Sequence, residues 1–454
     1  MIIKTLIVKS LYGYIDKDIE FYNDFNLLVG INGSGKTSIL NIISWLIQPS
    51  LPNLCTLEFK EIKLTLEFNE KSYTISCKLN KKKLKYFLTS STNEVYNPLI
   101  VNITHPSKIL IDDEDSKTRA LSEYYHLQPD LKEAKTWELL KSIPDPTIVG
   151  LDRNLFSEES ETLYYENSYR NSRENRVKKK VLSPLDRVKE LVNTEYRKRK
   201  NEILNLTSRL KNHLMLSAFE GSLTLESVSK GIRYKINLNQ IELAESRVTN
   251  YFKNLEKITL SDTEQTVVTK YFSNLKDITR KYLENPNDKE ISFLFGLNAN
   301  QFIKINKLLK EFERFETDST KTLKKINSFL ETLNHFFKDS SKLVKFKEDT
   351  SEITYDTLDK KRNILTPFND IKYLSSGERQ ILILFSYLAF NSEDGKLFII
   401  DEPELSLHIK WQEDFLTYLA KLAPPNTQII IATHSPILVA NKRENTILLL
   451  PYNN

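Results

Sequence analysis

Phe25-Asn26-Leu27-Leu28-Val29-Gly30-Ile31-Asn32-Gly33-Ser34-Gly35-Lys36-Thr37-Ser38 is the stretch that decides the fold. Phe25, Leu27, Leu28 and Val29 have strand composition, and the run stops at Gly30. Beyond Thr37, the spacing of Ile39, Leu40, Ile42, Ile43, Leu46 and Ile47 is helical. Gly30 to Thr37 satisfies the pattern G-x-x-x-x-G-K-[ST] in full, in the strand, turn and helix context it requires. Its glycines let backbone N–H groups converge on phosphates, and the helix start adds its positive end. Lys36 reaches the β/γ oxygens of a bound ATP, and Thr37 is placed for Mg²⁺. Asn32, Gly33, Ser34, Gly35, Lys36, Thr37 and Ser38 are the candidate nucleotide contacts.

Three further stretches near the other end belong to the same chemistry. In Leu397-Phe398-Ile399-Ile400-Asp401-Glu402-Pro403, an apolar strand carries a carboxylate to the edge of a sheet, where open α/β folds bind ligands. Asp401 is the candidate to hold Mg²⁺ through water, and Glu402 to polarise an attacking water. Taken alone, such an acid pair also serves to begin a helix. Leu374-Ser375-Ser376-Gly377-Glu378 precedes an apolar helix from Ile381 to Phe390, so Ser375, Ser376, Gly377 and Glu378 form a second candidate anion site. An N-cap serine with its capping-box glutamate fits the same spacing. Finally, Thr433-His434-Ser435-Pro436 follows the strand Ile429–Ala432, where His434 can reach a γ-phosphate or merely complete a turn.

These four motifs, in this order, resemble the ABC-type ATPase head of the OLD, RecF and SMC superfamily. Leu-Ser-Ser-Gly-Glu and Asp401-Glu-Pro-Glu-Leu-Ser-Leu-His408 are most similar to the OLD-like ATPases of bacterial anti-phage defence, including the ATPase subunits of the PARIS and Septu systems. The resemblance implies an ATP sandwich between two heads. Ser375 and Gly377 of one subunit would contact the γ-phosphate bound at Lys36 of another, with Glu402 as the catalytic acid and His434 as the switch histidine. It also implies a separate effector nuclease of Toprim or HNH type and a phage protein or DNA as trigger. The expected fold class is α/β, a P-loop ATPase head with a β-hairpin subdomain and a helical insertion, of coiled-coil or bundle type. The expected domains are 1–155, 156–342 and 343–454. The Gln-loop residue of the family has only weak candidates, Gln48 and Leu151-Asp152-Arg153. A Toprim domain following the head is not expected, since only about twenty residues follow His434.

Composition agrees with a folded, helix-rich chain. The 454 residues are 40% hydrophobic and 28% charged, with only 10 Gly and 15 Pro, which excludes collagen-like and disordered classes. The formal charge of +5 names no partner unless it is clustered. It does cluster between Arg170 and Lys211, through Arg173, Arg176, Lys178–Lys180, Arg187, Lys189, Arg197–Lys200 and Arg209. A DNA-binding face and a solvated helix face both fit these charges, and few aromatics are interleaved. Cys55 and Cys77 cannot build a disulfide framework, so a cytoplasmic home is expected. No secretory signal is visible at the start, and no apolar run approaches the roughly 20 residues of a membrane helix.

Outside the motifs, period-two alternation from Leu57 to Leu88 predicts an antiparallel hairpin, and Ile148–Leu151 reads as a buried strand. Long helices are expected over about 184–216 and 302–337, with shorter ones between them, such as 248–258 and 267–283.

Overall fold

A computed structural model describes residues 1–80, 82–92, 94–104, 124, 130–150, 183–219, 225–234, 236–254, 262–391 and 395–450. Leu151-Asp152-Arg153, the basic residues from Arg170 to Lys180 and the expected boundary at 155/156 lie outside the described residues. The chain forms two compact units, one of Met1–Glu195 with Asn327–Asn454 and one of Tyr196–Ile326. Among the described residues no helix is long and apolar enough to cross a membrane.

The first unit is built around a parallel sheet. Its strands are β3 (Phe25–Val29), β8 (Thr147–Val149), β12 (Leu397–Asp401), β13 (Gln428–Thr433) and β14 (Thr446–Leu448), in the order β14-β3-β13-β12-β8. Every residue of β12 and β13 is buried, which is why both read as unbroken apolar runs. The polar residue that opens β13 is Gln428, whose amide accepts from Ile3 N–H at 2.7 Å and donates to the carbonyls of Ile3 and Tyr22. That buried amide ties the parallel sheet to the first strand of the chain.

A six-stranded antiparallel sheet covers the same core. It is ordered β2-β1-β4-β5-β6-β7, from β1 (Ile2–Leu11), β2 (Ile15–Glu20), β4 (Glu61–Phe68), β5 (Lys71–Leu79), β6 (Lys83–Ser90) and β7 (Leu99–Asn102). The expected hairpin over 57–88 is therefore the centre of a larger sheet. Strand β2 escapes sequence reading because the middle of its three inward positions, Ile15, Lys17 and Ile19, is a lysine. Lys17 lies buried and donates its ammonium to the Leu450 carbonyl. Helix α1 (Lys36–Ile47) shares one core with both sheets through Ile39, Ile42, Ile43 and Leu46, against Leu64, Ile75, Ile399 and Ile430. Each such fully buried side chain contributes about 1.5–3 kcal/mol, so the start of α1 is held firmly at the sheet edge. A hydrogen bond from Tyr86 Oη to the Leu46 carbonyl at 2.5 Å closes the stack. The short helix α2 (Leu51–Thr56) follows, and α3 (Ala134–Ser142) precedes β8. Cys55 and Cys77 are free and buried in this core, and burial pushes the Cys55 thiol up to about 12 and raises that of Cys77 as well.

The remainder of the first unit brings β9 (Lys342–Phe346), β10 (Ile353–Leu358) and β11 (Ile364–Asp370) into a small antiparallel sheet. Two long helices, α4 (Pro184–Phe219) and α8 (Lys289–Phe337), contribute to both units. The end of α8 packs Phe336 against Phe385 of α9 (Ser376–Ser386), with ring centroids 5.5 Å apart, and edge-on to Trp411 of α10 (Ile409–Leu422). In the second unit, α5 (Leu225–Arg233), α6 (Leu238–Asn254) and α7 (Asp262–Glu284) join the adjoining parts of α4 and α8. Ile241, Phe272, Leu275, Phe295 and Phe302 form its core. Gly231 and Gly296 let α5 and α8 touch backbone to backbone, since a Cβ on Gly231 would strike the Gly296 carbonyl.

Candidate functional site

Strand β3 ends where Gly30 must follow. A Cβ there would stand 2.5 Å from the Leu449 carbonyl and 2.5 Å from Ser34 Oγ, so only glycine permits the turn. Gly33 and Gly35 then adopt φ of +82° and +89°, which curls the backbone around the start of α1. That helix start has no side-chain cap and no acidic residue in its first turn, so its N–H groups and positive end remain open to an anion. Lys36 is 5% exposed and folds back, donating to the carbonyls of Gly30 at 2.9 Å and Ile31 at 3.3 Å. Burial lowers its pKa, while the nearby charges of Glu402, Asp401 and Glu404 oppose the shift. Ser34 is buried with an unpartnered Oγ, and Ser38 Oγ lies 3.1 Å from the Tyr12 hydroxyl. Asn32, Gly33 and Thr37 are exposed.

Sheet register delivers the second group of residues. Thr433 pairs with Val29 and Asp401 with Ala432, so β3, β13 and β12 all end along one edge, beside the glycine-rich turn. Asp401 is 6% exposed, and its Oδ1 has no hydrogen-bond partner. Burial raises its carboxyl pKa, a hydrogen bond from Thr37 opposes that shift, and the Glu402 charge adds to it. Glu402 takes a left-handed backbone, φ 48° and ψ 55°, which a residue with a side chain adopts at a cost of about 1–3 kcal/mol. The turn swings its carboxylate toward His434, with Glu402 Oε1 3.4 Å from His434 Nε2. Glu404 Oε1 accepts the His434 backbone N–H at 2.5 Å, whereas its Oε2 is buried and unpartnered. On the other side of His434, Ser435 donates its N–H to Thr433 Oγ1 at 2.9 Å and its hydroxyl to Gln412 Oε1 at 2.6 Å. Ser435 also caps α11 (Pro436–Asn441).

Three carboxylates around one ammonium leave this edge with negative excess. The arrangement fits a phosphate-bound divalent cation, since Thr37 and Asp401 are neighbours and Asp401 keeps an unpartnered oxygen. Among the described residues no three His, Cys, Asp or Glu side chains converge as a cage.

The Ser375–Glu378 segment is built differently. Ser375 caps α9, and Glu378 completes a capping box: Ser375 N–H donates to Glu378 Oε2 at 2.7 Å, and Glu378 N–H donates to Ser375 Oγ at 3.4 Å. Glu378 is 2% exposed, and both its oxygens accept from Lys342 Nζ, at 2.9 and 2.7 Å. Burial alone would raise its pKa, but the bonds from Lys342, Ser340 and Ser375 outweigh it and hold the carboxyl low. The carboxylate expected among the nucleotide contacts is thus spent on the helix start. Gly377 lies against the turn that follows Asp401, where a Cβ would meet the Ser406 carbonyl at 2.5 Å. Ser375 and Ser376 are exposed and share no hydrogen bond with Lys36, Asp401, Glu402 or His434 of the same chain.

Gln48 ends α1, donating its N–H to the Ser44 carbonyl. His408 caps α10 by accepting from Lys410 N–H. Glu404, not singled out by the sequence reading, is brought into the site. Its signal was present, an acid two residues beyond Glu402 in an extended acidic turn.

The model of one protein family, described as the AAA ATPase domain, matches residues 1–439. The chain belongs to that family, and so is an ATP-binding ATPase of the P-loop class.

Proposed function

We propose that this chain hydrolyses ATP as an ABC-type head of the OLD-like group, in a sandwich of two copies. The observation that carries this reading is a division of labour. The β3, β12 and β13 edge brings Lys36, Asp401, Glu402 and His434 together, whereas Ser375 and Ser376 stand exposed with no bond to them. A second copy presenting its Ser375–Gly377 would complete the phosphate site.

In this reading the turn from Gly30 to Lys36 holds the triphosphate through backbone N–H groups and the lysine ammonium. Mg²⁺, held by Thr37 and Asp401, would offset the charge that builds on the β- and γ-phosphate oxygens. Glu402 orients a water and takes its proton as the water oxygen bonds to the γ-phosphorus and the bond to the β,γ-bridging oxygen breaks. In this reading His434, 3.4 Å from Glu402, would hydrogen-bond the γ-phosphate. Hydrolysis then requires two chains, so turnover reports assembly, and ATP would act as a glue whose cleavage releases the heads.

The similarity of the Leu-Ser-Ser-Gly-Glu and Asp-Glu-Pro-Glu-Leu-Ser-Leu-His stretches to anti-phage ATPases supports a defence role, with control of a separate nuclease, cytoplasmic, after sensing infection. A RecF-like or SMC-like DNA-binding ATPase is the second reading. In its favour, Arg197, Lys198, Arg209 and Lys211 of α4 are exposed and carry no ion pair among the described residues.

The sandwich is tested with Ser376→Trp. Single-subunit ATP binding should persist while turnover falls at least about tenfold and loses its steep dependence on protein concentration. Unchanged turnover excludes the sandwich. Purification from the native operon with ATP separates the two roles: a stoichiometric nuclease supports defence, and a homo-oligomer retained on DNA supports the clamp.

A further inference from the structure

The position of His434 is set by very few groups. Strand β13 ends at Thr433, so the His434 N–H is no longer part of the sheet ladder. Its imidazole faces one protein partner among the described residues, Glu402, at 3.4 Å. The backbone N–H is taken instead by Glu404 Oε1 at 2.5 Å. Glu402 and Glu404 stand on one turn, the Pro403–Ser406 segment with its left-handed entry. That turn is braced from within by Leu405 N–H to the Glu402 carbonyl and Leu407 N–H to the Glu404 carbonyl. It is braced from without by Glu402 N–H to the Ala432 carbonyl at 2.8 Å. One rigid turn therefore presents the carboxylate that meets the imidazole and the carboxylate that holds the imidazole's backbone.

Fold stability does not call for a glutamate here. Glu404 Oε2 is buried without a partner, which costs free energy, and a neutral acceptor would serve the same N–H. The charge also sits within reach of Lys36 and Asp401, in the heart of the candidate site.

We infer that Glu404 is a positioning residue: by accepting the His434 N–H it fixes the imidazole against Glu402 at the phosphate edge. It acts on turnover through His434 and leaves nucleotide affinity alone. This inference rests on the ATPase reading of the same site.

The test measures steady-state ATP hydrolysis and ATP affinity of the full-length chain. Glu404→Ala should lower kcat about 10–100-fold with KM little changed, the cost of a misplaced group of about 1 Å. Glu404→Gln, which keeps an acceptor oxygen, should recover most of that loss. In a His434→Ala background, adding Glu404→Ala should cost less than about twofold more, because the residue it positions is gone. Wild-type turnover in Glu404→Ala overturns the inference, as does a Glu404→Gln as slow as alanine, or a full additive loss in the His434→Ala background. If the alanine variant does not fold, Glu404→Asp decides: the shorter side chain should lose kcat and keep ATP affinity, and wild-type kcat overturns the inference. Glu402→Gln separates the two failures. Full hydrolysis in that variant overturns the ATPase reading and this inference with it, whereas a silent Glu402→Gln beside a fully active Glu404→Ala overturns this inference alone.

Discussion

Two helix starts in this protein carry small residues and a neighbouring charge, and they are finished in opposite ways. At α1 the turn from Gly30 to Gly35 leaves the helix uncapped, the Ser34 hydroxyl unpartnered and a lysine folded onto carbonyls. Across the strand ends from it, Asp401 and Glu404 each retain an unpartnered oxygen. At α9 the serine is an N-cap, the glutamate closes a capping box, and Lys342 neutralises it. Buried polar groups are normally satisfied. In the reading proposed above, a bound ligand would satisfy those left over in the first region, whereas in the second the glutamate is already committed to the cap and to Lys342.

That contrast can be broken by four substitutions. Lys36→Ala should weaken ATP binding at least about 100-fold, since it removes the one ammonium among three carboxylates. Titration calorimetry reads this directly, and equal affinity in the two proteins would remove the α1 turn from the ligand site. Glu402→Gln should reduce kcat about 10²–10⁴-fold while ATP still binds, because the amide cannot take the water's proton.

At the other helix start the losses should appear in stability. Lys342→Ala strands a buried carboxylate and should cost about 3 kcal/mol of unfolding free energy, with ATP affinity of the folded protein maintained. Glu378 has a lowered folded pKa, so its contribution is present above the ordinary carboxylate value and is lost as pH falls through the lower folded one. The variant should therefore begin acid unfolding at a higher pH than wild type, which circular dichroism across a pH series would follow. Gly377→Ala forces a methyl against the Ser406 carbonyl and should cost about 1–3 kcal/mol, seen as a lower melting temperature. A Gly377→Ala protein as stable as wild type but unable to hydrolyse ATP would assign this glycine to phosphate contact rather than to packing.

The motifs and the elements that carry them were legible because each is local. An apolar strand, a turn with glycine at positions of positive φ and a helical apolar spacing occupy consecutive residues, and the parallel strands announce themselves by burial on both faces. Strand β2 was hidden by Lys17, whose partner, the Leu450 carbonyl, lies at the far end of the chain. The six-stranded sheet exceeded the expected hairpin for a related reason: β1 pairs with β4, although the first ends at Leu11 and the second begins only at Glu61, and alternation in one strand does not name its neighbour. Glu378 illustrates the reverse limit. Its spacing from Ser375 suits an anion site and a capping box equally, and Lys342, thirty-six residues away, decides what its carboxylate does.

By itself the sequence determined the P-loop chemistry, the strand that carries Asp401 and Glu402 and the existence of a long helical stretch, because these depend on residue type and near-neighbour spacing. Tertiary structure alone decided which strands stand side by side, and hence that Asp401, Glu402 and His434 meet the Lys36 turn. It alone revealed Glu404 as the acceptor of the His434 N–H and Gln428 as the link between sheets. Hydrogen bonds between groups thirty residues apart, as Glu404 and His434 are, or several hundred, as Gln428 and Ile3 are, depend on distance in space, which no local spacing encodes.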